Sequence, residues 1–198
     1  MHIYDEEQEE QEEKEEKPGL PPLHQKLLET RTILLFGEID MDKAQAITGQ
    51  LLVLSAESDE PIKLVINSPG GHVESGDTIF DMIRFVTAPV QVIGTGWVAS
   101  AAALIYAAAD KENRYSLPNT RFLLHQPMGG ARGQAADIAI EAEEIIKMRR
   151  RLNEIFAEQT GQPVEKVEED TDRNFWMSAK EAQDYGLVNQ IIDSFDEV

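Results

Sequence analysis

The stretch "IKLVINSPGGHVESGDTIFDMIRFVTAPVQVIGTG", residues 62–96, decides the fold class of this chain. A run of β-forming residues enters a double-glycine turn, a helix-length segment follows, and a second β-rich run comes after Pro89. A strand–helix–strand unit of this kind is typical of parallel strands that are connected by crossover helices.

The same alternation continues on both sides of this unit. Strands are predicted at 32–39, 62–71, 90–96 and 120–127, and helices at 41–58, 74–86 and in the alanine-rich segment that extends to residue 109. We therefore predict an α/β domain with a mostly parallel sheet and crossover helices.

A long helix is predicted at residues 134–160, which contain no proline or glycine. It would extend for about 40 Å, because each helical residue rises about 1.5 Å. A helix of this length cannot lie wholly on a domain of this size, so we expect its apolar stripe to contact another copy of the chain rather than its own sheet. The stripe has partial heptad spacing and consists of Ile138, Ala142, Ile145, Leu152 and Phe156, with Arg149 as an interruption.

Composition narrows the possible functions. The chain has 198 residues, 41% of them hydrophobic, which fits one globular domain. It has no cysteine, which excludes disulfides and thiol catalysis and suits a reducing compartment such as the cytoplasm. The net charge of −19 argues against a nucleic-acid partner, because such binding depends on Lys and Arg. The apolar run at 97–109 is shorter than the roughly 20 residues of a membrane span. It therefore predicts a core helix, and we expect no membrane association.

The N-terminal region is strongly acidic. Residues 5–17 contain nine acidic side chains and two lysines, and "PGLPP" follows at 18–22. A charge run of this kind repels itself and buries nothing. We predict an arm and linker at 1–26 and a folded domain at 27–198.

Two strand ends carry the candidate chemistry. In a parallel sheet, functional groups collect at the carboxyl ends of the strands, where "NSPGG" and "GTGWVAS" are expected. Ser100 is the hydroxyl at the start of the alanine-rich helix, where backbone N–H groups lack intrahelical acceptors. The N–H groups of Gly71 and Ala101 are candidate donors to a tetrahedral oxyanion.

A nucleophilic serine requires a base, and His125 is the best candidate. Two of the four histidines lie in the arm and linker, and His72 follows the double glycine. His125 ends the last predicted strand, at the same sheet edge as Ser100. Each feature also has a structural explanation, since a packed serine, a packed histidine and a simple glycine turn are all common. Their convergence at one edge favours catalysis.

Five motifs in order resemble the proteolytic subunit of the ATP-dependent Clp protease, the ClpP family. They are "INSPGG", "GWVASAAA", "LPNTRFLLHQPMGG", "EQTGQ" and "EEDTDRNFWMSAKEAQDYGLV", and the resemblance covers about residues 27–192. It implies a ClpP/crotonase fold and a serine peptidase without cofactor or metal. Two stacked heptameric rings would enclose a chamber in which unfolded polypeptides, delivered by an AAA+ unfoldase, are cut. The long helix falls on the family's handle, which joins the rings.

The resemblance also assigns residues. The family's nucleophile falls on Ser100, its base on His125, and its oxyanion donors on Gly71 and Ala101. Asp170 and Arg173 fall on a charged pair that links the rings. The unfoldase docking site falls on Lys63, Val65, Phe85, Tyr115 and Ile192. The acidic arm stands where the family has an axial gate, so it is either a charged gate over the pore or a solubilising arm.

Two departures from the family change the expectation. The third triad position holds Asn174 instead of an aspartate, so we expect a weakened site unless Asp170 or Asp172 substitutes. Lys63 and Val65 stand where aromatics are common, so we expect weaker unfoldase docking or mixed rings with a paralogue.

Three alternatives remain. The chain could be a ring partner with little activity of its own. A crotonase-type acyl-CoA enzyme would need a basic surface for the CoA phosphates, and a relative of signal-peptide peptidase would need a lysine base. The sequence has no obvious basic surface and no lysine in the Ser100 and His125 motifs, so it supports neither of these last two alternatives.

Overall fold

The computed structural model describes residues 23–127 and 132–198, which form an α/β domain. The predicted acidic arm falls largely on 1–22, outside the described residues. The helices are α1 Leu23–Glu29, α2 Met41–Glu57, α3 Val73–Phe85, α4 Ala101–Ala107, α5 Ala135–Thr160, α6 Val164–Asp170 and α7 Ala179–Tyr185. The strands are β1 Thr32–Phe36, β2 Ile62–Ser68, β3 Val90–Ala99, β4 Arg114–Ser116, β5 Arg121–Leu124, β6 Phe175–Ser178 and β7 Gln190–Ile191.

The sheet is mostly parallel, as predicted, and it branches at β3. Strands β1, β2, β3, β4 and β7 pair in that order, and all of these pairs are parallel. The first half of β3 pairs with β4, and its second half pairs with β5. Strand β6 then pairs antiparallel with β5. The branch therefore brings the ends of β3, β5 and β6 together.

The core lies between one face of the sheet and helices α2, α3 and α4. Alternate residues of β1 and β2, such as Leu35 and Leu64, are fully buried on this face. All seven residues of α4 are buried as well, which explains its composition of alanines and large apolar residues. The opposite face is less covered: Leu34 is 42% exposed and Phe36 is 46% exposed.

The alanine-rich segment was predicted too long as a helix. Residues Trp97–Ala99 belong to β3, because they pair with β5, and the helix runs only from Ala101 to Ala107. The short strands β4, β6 and β7 were not predicted. At the N-terminal side, α1 begins at Leu23, so it spans the boundary predicted at residue 27, and none of its residues is buried.

The long helix is confirmed, with bounds Ala135–Thr160. Its two ends lie in different environments. Leu152 and Phe156 are buried in the domain, whereas Ile138 and Ile146 are 41% and 66% exposed. The C-terminal part of the predicted stripe therefore packs on its own domain, and only the N-terminal part is available to another copy.

A buried arginine fixes the C-terminal ends of α4 and α5. Arg114 is 1% exposed, and its guanidinium donates to the backbone carbonyls of Ala107, Ala109 and Gln159 at 3.0, 2.8 and 2.8 Å. Burial lowers the pKa of this guanidinium. Its donors satisfy helix-end carbonyls that have no intrahelical partner.

Candidate active site

Ser100 lies on a strained turn between β3 and α4. Its φ of +58° places a non-glycine residue outside the usual backbone regions. Such a conformation costs on the order of 1–3 kcal/mol and persists only where the surrounding structure holds it. The Ser100 N–H donates to the carbonyl of Leu123 at 2.9 Å, and this bond holds the turn against β5. Strain of this kind is found at functional turns more often than at packing positions.

Gly70 allows the double-glycine turn to approach Ser100. A Cβ on Gly70 would lie 2.7 Å from both the Ser100 Cβ and the Ala99 carbonyl oxygen, and the φ of Gly70 is +94°. No larger residue fits at Gly70 without moving Ser100. From the sequence, the Gly70-Gly71 pair is expected to offer an unobstructed backbone N–H; the close approach that Gly70 permits depends on contacts distant in sequence.

Gly71 and Ala101 each follow one of the two residues that approach closely, since Gly70 lies against Ser100. The Ile39 N–H donates to Gly70 O at 2.8 Å, and the His72 N–H donates to Ile39 O at 2.9 Å, so the peptides that flank Gly71 are both held. Gly71 is exposed, and a Cβ there would lie 2.2 Å from the Ile39 carbonyl oxygen. Ala101 is the first residue of α4, where an N–H has no intrahelical acceptor.

The sheet register places His125 beside Ser100. Ala99 pairs with Leu123 across β3 and β5, so Ser100 and His125 follow the same end of this strand pair. His125 is half-buried, and its Nε2 atom is buried without a hydrogen-bond partner in the described part of the chain. Burial lowers the pKa of His125, and a hydrogen bond with the Asn174 side chain partly opposes that fall. The imidazole is therefore kept neutral, as a base must be.

Asn174 lies opposite His125 by the register of β5 and β6. Leu124 pairs with Phe175 in this antiparallel pair, so the next position on each strand places His125 across from Asn174. The side chain of Asn174 is exposed and lines an open cleft of about 430 Å³ together with His125, Gln126, Asp172 and Arg173. The three candidate triad positions thus meet at one edge of the sheet.

Comparison with known proteins identifies the family. The sequence model of the Clp protease family matches residues 18–195. The ATP-dependent Clp protease proteolytic subunit 2 of Gluconobacter oxydans is 65% identical over 178 residues, which are 89% of this chain and 80% of the relative. The ATP-dependent Clp protease proteolytic subunit 2 of Pseudomonas aeruginosa is 57% identical over 176 residues, which are 89% of this chain and 88% of the relative. The chain belongs to the Clp protease family.

Solved structures of this family share the fold. ClpP1 from Listeria monocytogenes is 55% identical, with a TM-score of 0.80 over 89% of this chain and 99% of that one. An asparagine-to-aspartate variant of the same protein has a TM-score of 0.82 at 55% identity, over 88% and 98% of the two chains. The predicted ClpP fold is therefore confirmed, and membership of the family implies serine peptidase activity.

Asp170 is not paired with Arg173 within the described chain. The Asp170 carboxylate accepts from Lys166 at 2.8 Å and from the Tyr185 hydroxyl at 2.9 Å, so it is also poorly placed to replace Asn174. Burial and Asp170 together raise the pKa of Tyr185. Arg173 instead contacts Asp172, whose carboxylate lies 3.8 Å from it and 3.4 Å from Arg149. An Asp170–Arg173 contact between subunits stays a prediction.

The residues assigned to unfoldase docking lie mostly on the less covered sheet face. Val65 and Tyr115 occupy one row across it, because both pair with Ile93 of β3, and both are partly exposed. Lys63 lies two positions before Val65 on the same face. Phe85, at the end of α3, is 74% exposed. Ile192 differs from the others because it is 2% exposed and so belongs to the core of the single chain.

Within residues 23–127 and 132–198, no helix is both long and apolar enough to cross a membrane. No group of three or more His, Cys, Asp or Glu side chains in the same residues is arranged to hold a metal ion.

Proposed function

We propose that this chain is a serine endopeptidase subunit that hydrolyses peptide bonds in unfolded polypeptides, with Ser100 as nucleophile and His125 as general base. The observation that carries the proposal is the strained turn at Ser100, which is hydrogen-bonded to the strand that His125 ends. A packing serine has no need of such a conformation. Family membership supports the same chemistry.

The reaction would proceed in two halves. The Ser100 Oγ attacks the scissile carbonyl carbon while His125 Nε2 takes the hydroxyl proton, and the N–H groups of Gly71 and Ala101 donate to the oxyanion. The C–N bond then breaks, and His125 gives the proton to the leaving amine. Water hydrolyses the resulting ester by the same route, with His125 again as base, and Ser100 is regenerated.

Asn174 would orient the imidazole of His125 but would place no negative charge beside it. Its side-chain carbonyl oxygen can accept from the His125 Nδ1–H and so hold the tautomer that leaves Nε2 free to take a proton. An amide cannot stabilise the imidazolium that forms in the transition state as a carboxylate does. We therefore propose that the site is competent but attenuated.

Assembly would follow the family, as two stacked heptameric rings or as mixed rings with a paralogue, supplied with substrate by an AAA+ unfoldase. The exposed N-terminal part of α5 and the less covered sheet face support contacts with other subunits. Lys63 and Val65, at two of the assigned docking positions, support weaker binding of the unfoldase than aromatic residues there would give. A cytoplasmic location stays a prediction.

A second candidate is a ring partner with little activity of its own. It is favoured by Asn174, which removes the triad charge, and by His125 Nε2, which has no hydrogen-bond partner in the described region. Both candidates share the fold and the assembly. They differ in whether Ser100 is activated.

Labelling of Ser100 separates the two candidates. The purified full-length protein is treated with a fluorophosphonate, and the modified peptide is located by mass spectrometry. We expect stoichiometric labelling of Ser100, which is lost in Ser100→Ala and strongly slowed in His125→Ala. Absence of labelling in the assembled wild-type particle would favour the inactive ring partner.

A further inference from the structure

Trp97, Arg121 and Trp176 form a cluster on the sheet surface that catalysis leaves without a role. The two indole rings are parallel to within 3°, with centroids 6.4 Å apart. The Arg121 guanidinium lies 4.2 Å from the centroid of the Trp176 ring. Neither tryptophan is a fully packed core residue, because Trp97 is 42% exposed and Trp176 is only half-buried.

This cluster lies on the same sheet face as the catalytic side chains. Paired residues in neighbouring strands point to the same side, and so do alternate residues within a strand. Trp97 pairs with Arg121, so these two share a face, and Arg121 is four positions before His125. Trp176 is two positions after Asn174 on β6. Leu123 lies on this face between Arg121 and His125, pairs with Trp176 and is 7% exposed, whereas Val98, Phe122 and Met177 point the other way and are buried in the core.

The spacing fits an extended polypeptide. At about 3.3 Å per residue, Trp176 lies about 7 Å along the strand from Asn174, and Arg121 lies about 13 Å from His125. A substrate strand with its scissile bond at Ser100 would pass over the cluster with side chains two to four residues from that bond. The face is thus continuous with the proposed site.

The charge of Arg121 defines the chemistry that would fit. Within 23–127 and 132–198, no carboxylate lies at ion-pair distance from its guanidinium, whereas Arg149, Arg150, Arg151 and Arg173 each have one. The guanidinium carbon of Arg121 lies over the Trp176 ring, and a cation held on an aromatic ring can still donate its N–H groups to a carboxylate. The neighbouring indoles suit apolar side chains.

We propose that Trp97, Arg121 and Trp176 form a substrate subsite that prefers an acidic side chain flanked by apolar residues, two to four positions from the cleaved bond. This proposal rests on the proposed peptidase function for its substrate. The subsite has its own spectroscopic reporter, because these are the only two tryptophans in the chain. Binding at the subsite therefore changes the whole tryptophan signal of the protein.

The test measures binding without catalysis. Full-length Ser100→Ala protein is titrated with capped, tryptophan-free peptides that differ only in one side chain, Asp, Asn or Lys, between leucines, and tryptophan emission is recorded. The caps remove the terminal charges, so only the side chain can supply the carboxylate. We expect the Asp peptide to bind about tenfold more tightly than the Asn peptide, as a charge-assisted hydrogen bond implies.

Variants of Arg121 give the decisive comparison. Arg121→Gln should remove the preference for Asp, and Arg121→Glu should reverse it in favour of Lys. Lys111→Gln, which removes a charge from an exposed residue after α4, should leave it unchanged. Equal affinity for the Asp and Asn peptides, or an unchanged preference in Arg121→Gln, would overturn the proposal. Tryptophan emission that changes when the protein is diluted, but not when peptide is added, would also overturn it, because a second copy of the chain would then cover the cluster.

Labelling of Ser100 does not depend on this result. Either proposal can therefore fail while the other holds.

Discussion

The backbone N–H of Ser100 donates to the carbonyl of Leu123 at 2.9 Å, and this bond attaches the turn of the proposed nucleophile to β5, the strand that His125 follows. The relation between Ser100 and His125 is therefore set by sheet hydrogen bonding rather than by two independent loops. Displacement of either strand end would move both groups together. The positions that hold this turn are accordingly as important for activity as the reacting groups.

Replacement of Gly70 by alanine should lower activity about 100-fold by moving Ser100. Both Gly70 and Gly161 have a positive φ, so Gly70→Ala and Gly161→Ala share the backbone cost. Only at Gly70 would the new methyl group lie 2.7 Å from the Ser100 Cβ, whereas at Gly161 it meets no atom within 4 Å. A misplacement of about 1 Å in an active site costs about 100-fold in rate.

The two glycine variants are compared by peptidase kcat/KM and by thermal unfolding. We expect a lower Tm in both and a loss of activity only in Gly70→Ala. If Gly70→Ala kept half of the wild-type activity, the close approach of the two turns would be irrelevant to catalysis.

Asn174→Asp should raise peptidase activity. A carboxylate opposite His125 would stabilise the imidazolium in the transition state, and the converse replacement in a trypsin-type triad costs about 10⁴ in kcat. We expect a gain of at least about tenfold in kcat with little change in KM, because the new charge acts mainly in the transition state. Asn189→Asp adds the same charge at an exposed position after α7 and serves as the control.

The kinetic comparison uses a fluorogenic peptide and all three proteins in the same assembly state. No gain in Asn174→Asp over both wild type and Asn189→Asp would contradict the attenuation argument.

The pH dependence of activity should reflect the burial of His125. Burial lowers the pKa of this imidazole from its ordinary value of 6.5 because it disfavours the charged form. The base therefore stays neutral, and active, to a more acidic pH than a solvent-exposed histidine would. The acid limb of kcat/KM should have its midpoint below 6.5, measured with a substrate that does not titrate in this range.

The Asn174→Asp variant should move that limb in the opposite direction. A carboxylate next to the imidazole favours the protonated form, which raises the pKa of His125. The midpoint should thus shift to higher pH as kcat increases. Coincident acid limbs in the two proteins would mean that His125 is not the group that titrates.

Much of the site could be predicted because it depends on local patterns. The strand–helix alternation and the proline-free run at 134–160 fix the sheet and α5, and strand ends in a parallel sheet meet by geometry. Trp97 and Ala99 were assigned to the helix because their apolar character fits either a helix or a buried strand. They belong to β3 because they pair with β5, and this pairing joins residues that are distant in sequence.

The partners of charged residues were less predictable. The resemblance assigns Asp170 and Arg173 to a contact between rings, which a single chain cannot contain. Within the described chain, Asp170 accepts from Lys166 and from the Tyr185 hydroxyl, and Arg173 contacts the neighbouring Asp172. The contact with Tyr185 joins α7 to the end of α6, and local spacing does not reveal such a distant partner. The burial of Ile192 likewise depends on strands that the sequence did not indicate.

The exposed part of α5 should determine whether rings pair. Ile146 is 66% exposed on the single chain, and burial of one isoleucine against a partner contributes about 1.5–3 kcal/mol, repeated for each subunit of a ring. Ile146→Asp would place an uncompensated charge in that contact, so we expect double rings to separate into single rings. Leu23→Asp makes a comparable change at a leucine on α1 that is 73% exposed, and it should leave assembly intact. Analytical ultracentrifugation and native mass spectrometry distinguish the two particles. Intact double rings in Ile146→Asp at all protein concentrations would place the contact between rings elsewhere.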